Sequence, residues 1–164
     1  MGVLHPSCWL SILFILPDMK KGFLTFLIIF PILCMAQSNK NITEDFLQSF
    51  ADAFNAHDIN RIMLHMTDDC VFEASAGPDV NGEKFTGQEE VRKAFENVFA
   101  VFPDACWNNP RHFISGDRGF SEWIFTGTKV DGSKVEVTGC DLFTFKDGKI
   151  AIKNSYRKNR VQIN

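Results

Sequence analysis

A chain of 164 residues with 45% hydrophobic content and 17 Phe has enough apolar side chains for the core of one domain. Its formal net charge of -3 argues against nucleic acid as a partner, because phosphate-binding surfaces need an excess of Lys and Arg. Of its five cysteines, only Cys70, Cys106 and Cys140 lie beyond the N-terminal region. That is an odd number without metal-like spacing, so neither a disulfide framework nor a metal centre is expected.

Residues 1–36 stand apart from the rest. Met19-Lys20-Lys21 followed by GFLTFLIIFPILCMA has the basic start and short apolar run of a secretory signal peptide, with a cleavage site at Cys34-Met35-Ala36. Residues 1–18 then read as a mis-assigned upstream start, and the mature chain begins at Gln37, exported to the periplasm or the medium. An uncleaved anchor is the weaker reading. Pro17, Asp18, Lys20 and Lys21 divide the apolar stretches into runs shorter than the roughly 20 residues a membrane helix needs, and Leu33 before Cys34 departs from a lipobox. No membrane contact is expected after cleavage. The sequon Asn41-Ile42-Thr43 is assigned no role.

After a polar tether over 37–42, Thr43 with Glu44 and Asp45 marks a helix start, and Phe46, Leu47, Phe50, Ala53 and Phe54 recur at helical spacing. Asn55 to Asp58 breaks the period. A short second helix is expected through Ile62, Met63 and Met66, ending near Thr67-Asp68. His57 and His65 have no companion at metal spacing and read as helix-end residues. A strand over 70–73 leads into a Gly-Pro-Asn-rich loop over 74–87, either the cover of a cavity mouth or a plain connector. A third helix then starts at Thr86-Gly87 with acids in its first turn and shows Val91, Phe95, Val98, Phe99 and Phe102 on one face, until Pro103 stops it.

Four strands follow, at about 110–116, 119–129, 134–145 and 149–158 by their period-two alternation. Asp147-Gly148 signals a type I′ turn, which needs positive φ at both central residues. Read with that turn, Phe145 faces Ile150, Phe143 faces Ile152 and Asp141 faces Asn154. A similar two-residue turn at Asp131-Gly132 places Glu122 opposite Asp141, and a tight turn at Gly116–Gly119 places Phe113 opposite Glu122. The inward face then carries a polar row, Phe113, Glu122, Asp141 and Asn154, flanked by Ile124, Tyr156, Phe143 and Ile152. The outward face carries His112, Trp123, Cys140 and Ser155. A β-bulge would move any of these by one position and flip its face. Lys153, Arg157, Lys158 and Arg160 read as a solvated edge.

The stretch GCDLFTFKDGKIAIKNSYRKNR, with SFADAFNAHDINRIMLHMTDDCVFE, FTGQEEVRKAFENVFAVFPD and RHFISGDRGFSEWIFTGT upstream, resembles the SnoaL-like proteins of the nuclear transport factor 2 and ketosteroid isomerase superfamily. The resemblance covers residues 43–160. It implies an α+β fold, a cone in which three N-terminal helices pack on a curved, mostly antiparallel sheet, often paired through its outer face into a homodimer. It also implies a small hydrophobic ligand and no cofactor.

Two readings of the polar row stay open. In the first, the domain is an isomerase or cyclase acting on a small carbonyl-containing apolar substrate. Asp141 and Glu122 would do general acid/base work, because two carboxylates that close in a dry site cannot both ionise cheaply. Asn154, Tyr156, Phe113, Ile124 and Phe143 would line the ligand site, with His112 and Trp107 as further candidates. In the second, the row is structural, with Glu122 paired to Arg92 or Arg111 and Asp141 accepting local hydrogen bonds, and the domain binds a small ligand or a protein without turning it over. A structural dimer whose outer face is the working surface is a third possibility.

Overall fold

The computed structural model describes residues 42–160; the signal-peptide reading and most of the tether fall outside the described residues. Helix α1, Glu44–Asn55, starts where expected. The Thr43 hydroxyl accepts from the Phe46 amide at 3.3 Å, Glu44 and Asp45 oppose the helix dipole, and Leu47, Phe50, Ala53 and Phe54 are buried along one stripe. His57 turns the chain in the left-handed region, at φ 52°. Asp58 then caps α2, Ile59–Leu64, by accepting from the Arg61 amide at 3.0 Å.

The second helix is shorter than its apolar spacing suggested. Met66, expected as its last apolar residue, opens strand β1, Met66–Glu73. Thr67, Asp68 and Asp69 are all weak helix formers, and the carbonyl of His65 is taken by the Ile150 amide at 2.9 Å. The loop after β1 contains a three-residue strand, β2, Lys84–Thr86, paired antiparallel to β1. Helix α3, Gly87–Val101, follows directly, with Glu90 accepting from the Thr86 amide at 2.9 Å. Gln88 fixes the start of α3 to the end of α2, its side-chain amide donating to the carbonyls of Met63, Met66 and Thr67.

Strands β3, Cys106–Ser115, β4, Arg118–Thr128, β5, Lys134–Lys146, and β6, Lys149–Arg157, complete a six-stranded sheet in the order β2-β1-β6-β5-β4-β3. Among the described residues only the β1–β6 pair is parallel. The sheet is therefore mixed, and mostly antiparallel as expected. The helices bury their stripes against one sheet face: Phe50 meets Phe143 edge to face at 5.9 Å, and Phe95 of α3 packs on Phe54 and Phe72 at 5.0 and 4.9 Å.

Register departs from expectation at three places, each for a local reason. The Asp147-Gly148 turn forms as read, with φ of 53° and 74°, and pairs Lys146 with Lys149 and Phe145 with Ile150. A bulge at Ala151 then shifts the ladder, so that Phe143 faces Lys153 and Asp141 faces Ser155, not Ile152 and Asn154. At the β4–β5 turn only Gly132 has positive φ, 85°. The carboxylate of Asp131 is engaged by the Ser133 amide and hydroxyl at 2.9 and 2.6 Å, and Lys129 donates to Ser133 at 2.8 Å across a three-residue loop. This is the three-residue hairpin with a left-handed Gly, not the two-residue type I′ turn. It places Ser121, not Glu122, opposite Asp141. The first hairpin turns at Gly116-Asp117, pairing Phe113 with Phe120, and a bulge at Asn109-Pro110 restores the inward aim of Trp107. Proline has no N–H to give the ladder and is tolerated at such a bulge.

Candidate functional site

On β5 the inward residues are those the alternation gave: Gly139, Asp141, Phe143 and Phe145. Because of the shifted registers they meet Ser121 and Trp123 from β4 and Lys153 and Ser155 from β6. Four side chains lock together there. The Asp141 Oδ1 accepts from Lys153 Nζ and from Ser155 Oγ, both at 2.6 Å, and Oδ2 accepts from Trp123 Nε1 at 2.9 Å. Lys153 also donates to Ser155 Oγ at 2.6 Å, closing a triangle. Both partners of the ion pair are only 7% exposed at the side chain. The ammonium lies 5.0 Å from the Phe72 ring centre and 5.7 Å from that of Phe54, which favours the cation electrostatically. Two of its three N–H groups are used in these bonds. Gly139 makes the arrangement possible, since the Trp123 ring lies where a Cβ at position 139 would be.

A second polar pair stands beside the first. His112 Nδ1 lies 2.7 Å from Ser121 Oγ and Nε2 lies 3.3 Å from Gln48 Oε1. With an amide oxygen as acceptor, Nε2 carries the proton and Nδ1 accepts from the serine. Burial pushes the His112 pKa below its ordinary value, against the opposing pull of Glu44 and Asp52.

Two cavities meet at this cluster. The larger, about 730 Å³, lies between α3, the β1–β2 connection and the sheet, with Phe54, Phe72, Trp107 and Trp123 among its aromatic lining and Lys153 and Ser155 in its wall. Its size and apolar lining are those of a small-molecule site. The smaller, about 30 Å³, holds Asp141, His112 and Ser121 in its lining. That is room for a water, not for a substrate. Lys153, Trp123, Phe54 and Trp107 line both cavities; Asp141 lines only the small one.

Among the expected site residues, Asp141, Phe143, Trp107 and His112 line the small cavity, and Trp107 lines the large one too. The rest turn away. Glu122 falls on the outer face opposite Cys140 and forms an ion pair with Arg111, so it shares no cavity with Asp141. Phe113 and Tyr156 are about half exposed, at 54% and 50%, and Ile124 and Asn154 lie on the same outer face, all displaced by the register shifts described above. His112, Trp123 and Ser155, expected outward, point inward for the same reason. Lys153, Ser155, Trp123 and Ser121 were not foreseen as site residues. Among the described residues no three His, Cys, Asp or Glu side chains gather into a group that would hold a metal. Cys70, Cys106 and Cys140 are free thiols, with burial raising the pKa of Cys70 and Cys140.

The chain is an α+β domain with an aromatic pocket beside a buried polar cluster. The chain belongs to the SnoaL-like domain family, whose model matches residues 47–152. Similar solved structures include a protein from Xanthomonas campestris pv. campestris provisionally named a polyketide cyclase, with TM-score 0.62 at 16% identity over 69% of this chain and 87% of that one. A protein with a ketosteroid isomerase-like fold from Catenulispora acidiphila DSM 44928, in complex with trimethylamine, gives 0.62 at 16% identity over 70% and 85%. TerC, co-crystallised with polyporic acid, gives 0.59 at 18% identity over 70% and 90%. At these identities the likeness is one of fold. No curated protein matches the chain.

Proposed function

We propose that this domain binds a small, mostly apolar molecule that offers an acceptor oxygen to Lys153. The observation that carries the reading is the division of labour between the cavities. The substrate-sized pocket reaches Lys153 and Ser155, whereas Asp141 sits behind them with both carboxylate oxygens already accepting hydrogen bonds. A general base must come within hydrogen-bond reach of the proton it removes, and Asp141 is screened from the pocket by its own partners. Its role in this reading is to hold the lysine ammonium in place. The small ligands named with two of the fold relatives support the same kind of use.

The second reading is an isomerase or cyclase, favoured by the family and by the polyketide cyclase name among the fold relatives. Here Lys153 would polarise a carbonyl and stabilise the oxyanion that develops on it, a task for preorganised donors in a dry site. A panel of apolar ketones screened by ligand-observed NMR, followed by turnover assays on those that bind, separates the two. Binding without turnover is expected. Turnover that Asp141→Asn abolishes would overturn the binding-only reading.

We propose as well that the mature protein starts at Gln37 and is exported, supported by the basic start and apolar run before Ala36; an exported chain whose intact mass includes that run would refute this. Two copies are proposed to associate through the outer sheet face.

A further inference from the structure

The aromatic pocket does not end at its own rim. Phe102 and Arg157 line it and also line a second cavity of about 730 Å³ at the end of the sheet, between the β4–β5 turn and the residues after β6. The two spaces adjoin at those residues and differ in chemistry. The second is lined by Lys129, Lys134, Arg157, Lys158 and Arg160 against two acids, Asp104 and Glu136. Both acids are engaged: Asp104 accepts the Thr128 amide at 2.5 Å, with Lys134 close enough to help lower its pKa, and Glu136 pairs with Arg160 at 3.3 Å. The groove is left with a surplus of positive charge.

We infer that the natural ligand is an amphiphile, its apolar body in the aromatic pocket and an acidic head, carboxylate or phosphate, in the basic groove beyond Arg157. The inference rests on the pocket reading above and adds the head group and the orientation. Charge decides which end goes in. At the floor Lys153 is already neutralised by Asp141, so an anion there would set two negative groups against one ammonium in a place where unpaired charge is most costly. The remaining charges at the pocket rim are Glu83, Glu90 and Lys93, acidic on balance. Only the Arg157 end offers an excess of cations. Lys153 and Arg157 lie four residues apart along β6, about 13 Å at the usual strand rise, which sets the least length of a body that spans from floor to head.

The test compares three probes of equal chain length that carry the same ketone oxygen for Lys153 at the tail, 12-hydroxydodecan-2-one as the alcohol, 11-oxododecanoate and 11-oxododecyl phosphate, by titration calorimetry on the whole domain at low and high salt. The acidic probes are expected to bind about tenfold tighter than the alcohol at low salt, a gap worth about 1.4 kcal/mol, and to lose that advantage at high salt. The double variant Lys134→Gln, Lys158→Gln, whose residues line only the groove, is expected to close the gap, with alcohol binding as the check that the variant is folded. Comparison of the two acidic probes shows which head fits better. Equal, salt-insensitive binding of all three would overturn the head-group inference and leave the pocket reading intact. Failure of all three to bind would overturn both.

Discussion

Lys153 shows how a residue's meaning depends on its neighbours. In the sequence it is one of several cations near a C-terminal edge, and a lysine on a strand is usually solvated. In the fold it is buried beside Asp141, and the Ala151 bulge is what turns it inward. Without that bulge Asn154 would face Asp141, and the carboxylate would be buried with no cation, which costs more than one irregular residue in a ladder. Replacing Lys153 by Met should therefore cost about 3–5 kcal/mol in urea unfolding, because it strands the carboxylate, whereas the double change Lys153→Met, Asp141→Leu should recover most of that loss. A single variant as stable as the wild type would mean that the pair carries no such weight. Asp141 itself was readable from the sequence, since an acid among Val137, Phe143 and Phe145 on one strand face is conspicuous. Its partners were not, because each depends on the register of a different hairpin.

At the level of elements, the features written into short local signals were readable and those set by one-residue irregularities were not. The Thr43 cap, the Asp147-Gly148 turn and the Pro103 stop are local chemistry. The Asp131 turn looks alike in sequence, yet the hydrogen bonds from Ser133 to the Asp131 carboxylate favour a loop one residue longer, and that single residue flips all of β4. The contact between α1 and α2 has its own titratable element. His65 packs against Phe46 at 5.0 Å and Phe50 at 5.7 Å, and its ring nitrogens meet the Arg61 carbonyl at 2.8 Å and Ser49 Oγ at 3.3 Å. Burial lowers its pKa, helped by the Arg61 charge and partly offset by the bond to the Arg61 carbonyl. With His112 lowered as well, the unfolded chain binds more protons than the folded one just below the ordinary histidine pKa of about 6.5. Stability is then fully present above that value and declines as pH falls through the folded pKa values. Thermal melts between pH 8 and pH 5 should show this decline, and His65→Gln should make it shallower. A midpoint that rises on acidification would contradict the assignment.

At the scale of the whole molecule, the helices pack on the inward face of the sheet and leave the outward one bare among the described residues. The shifts that sent Glu122, Asn154 and Tyr156 outward left Phe113, Phe120 and Leu142 in one row across β3, β4 and β5, with Tyr156 and Ile124 nearby. Of the residues expected on the outer face, Trp123 is instead buried on the pocket side and donates to Asp141. The apolar content of the face now rests on other residues. Phe113, Leu142 and Tyr156 are all exposed in the single chain, and a contiguous patch of that kind on a sheet centre marks an association surface more often than a free one. The ion pair of Arg111 with Glu122 lies in the row next to the phenylalanines, where closure of an interface would exclude water from it. Light scattering should give twice the chain mass at tens of micromolar, roughly the range in which an interface of standard size persists. Leu142→Lys, which places a charge at the middle of the row without touching the buried cluster, should yield a monomer whose melting temperature, extrapolated to low concentration, matches that of the parent. A parent chain that is already monomeric at that concentration removes the dimer; a dimer that survives Leu142→Lys unchanged moves it to another face.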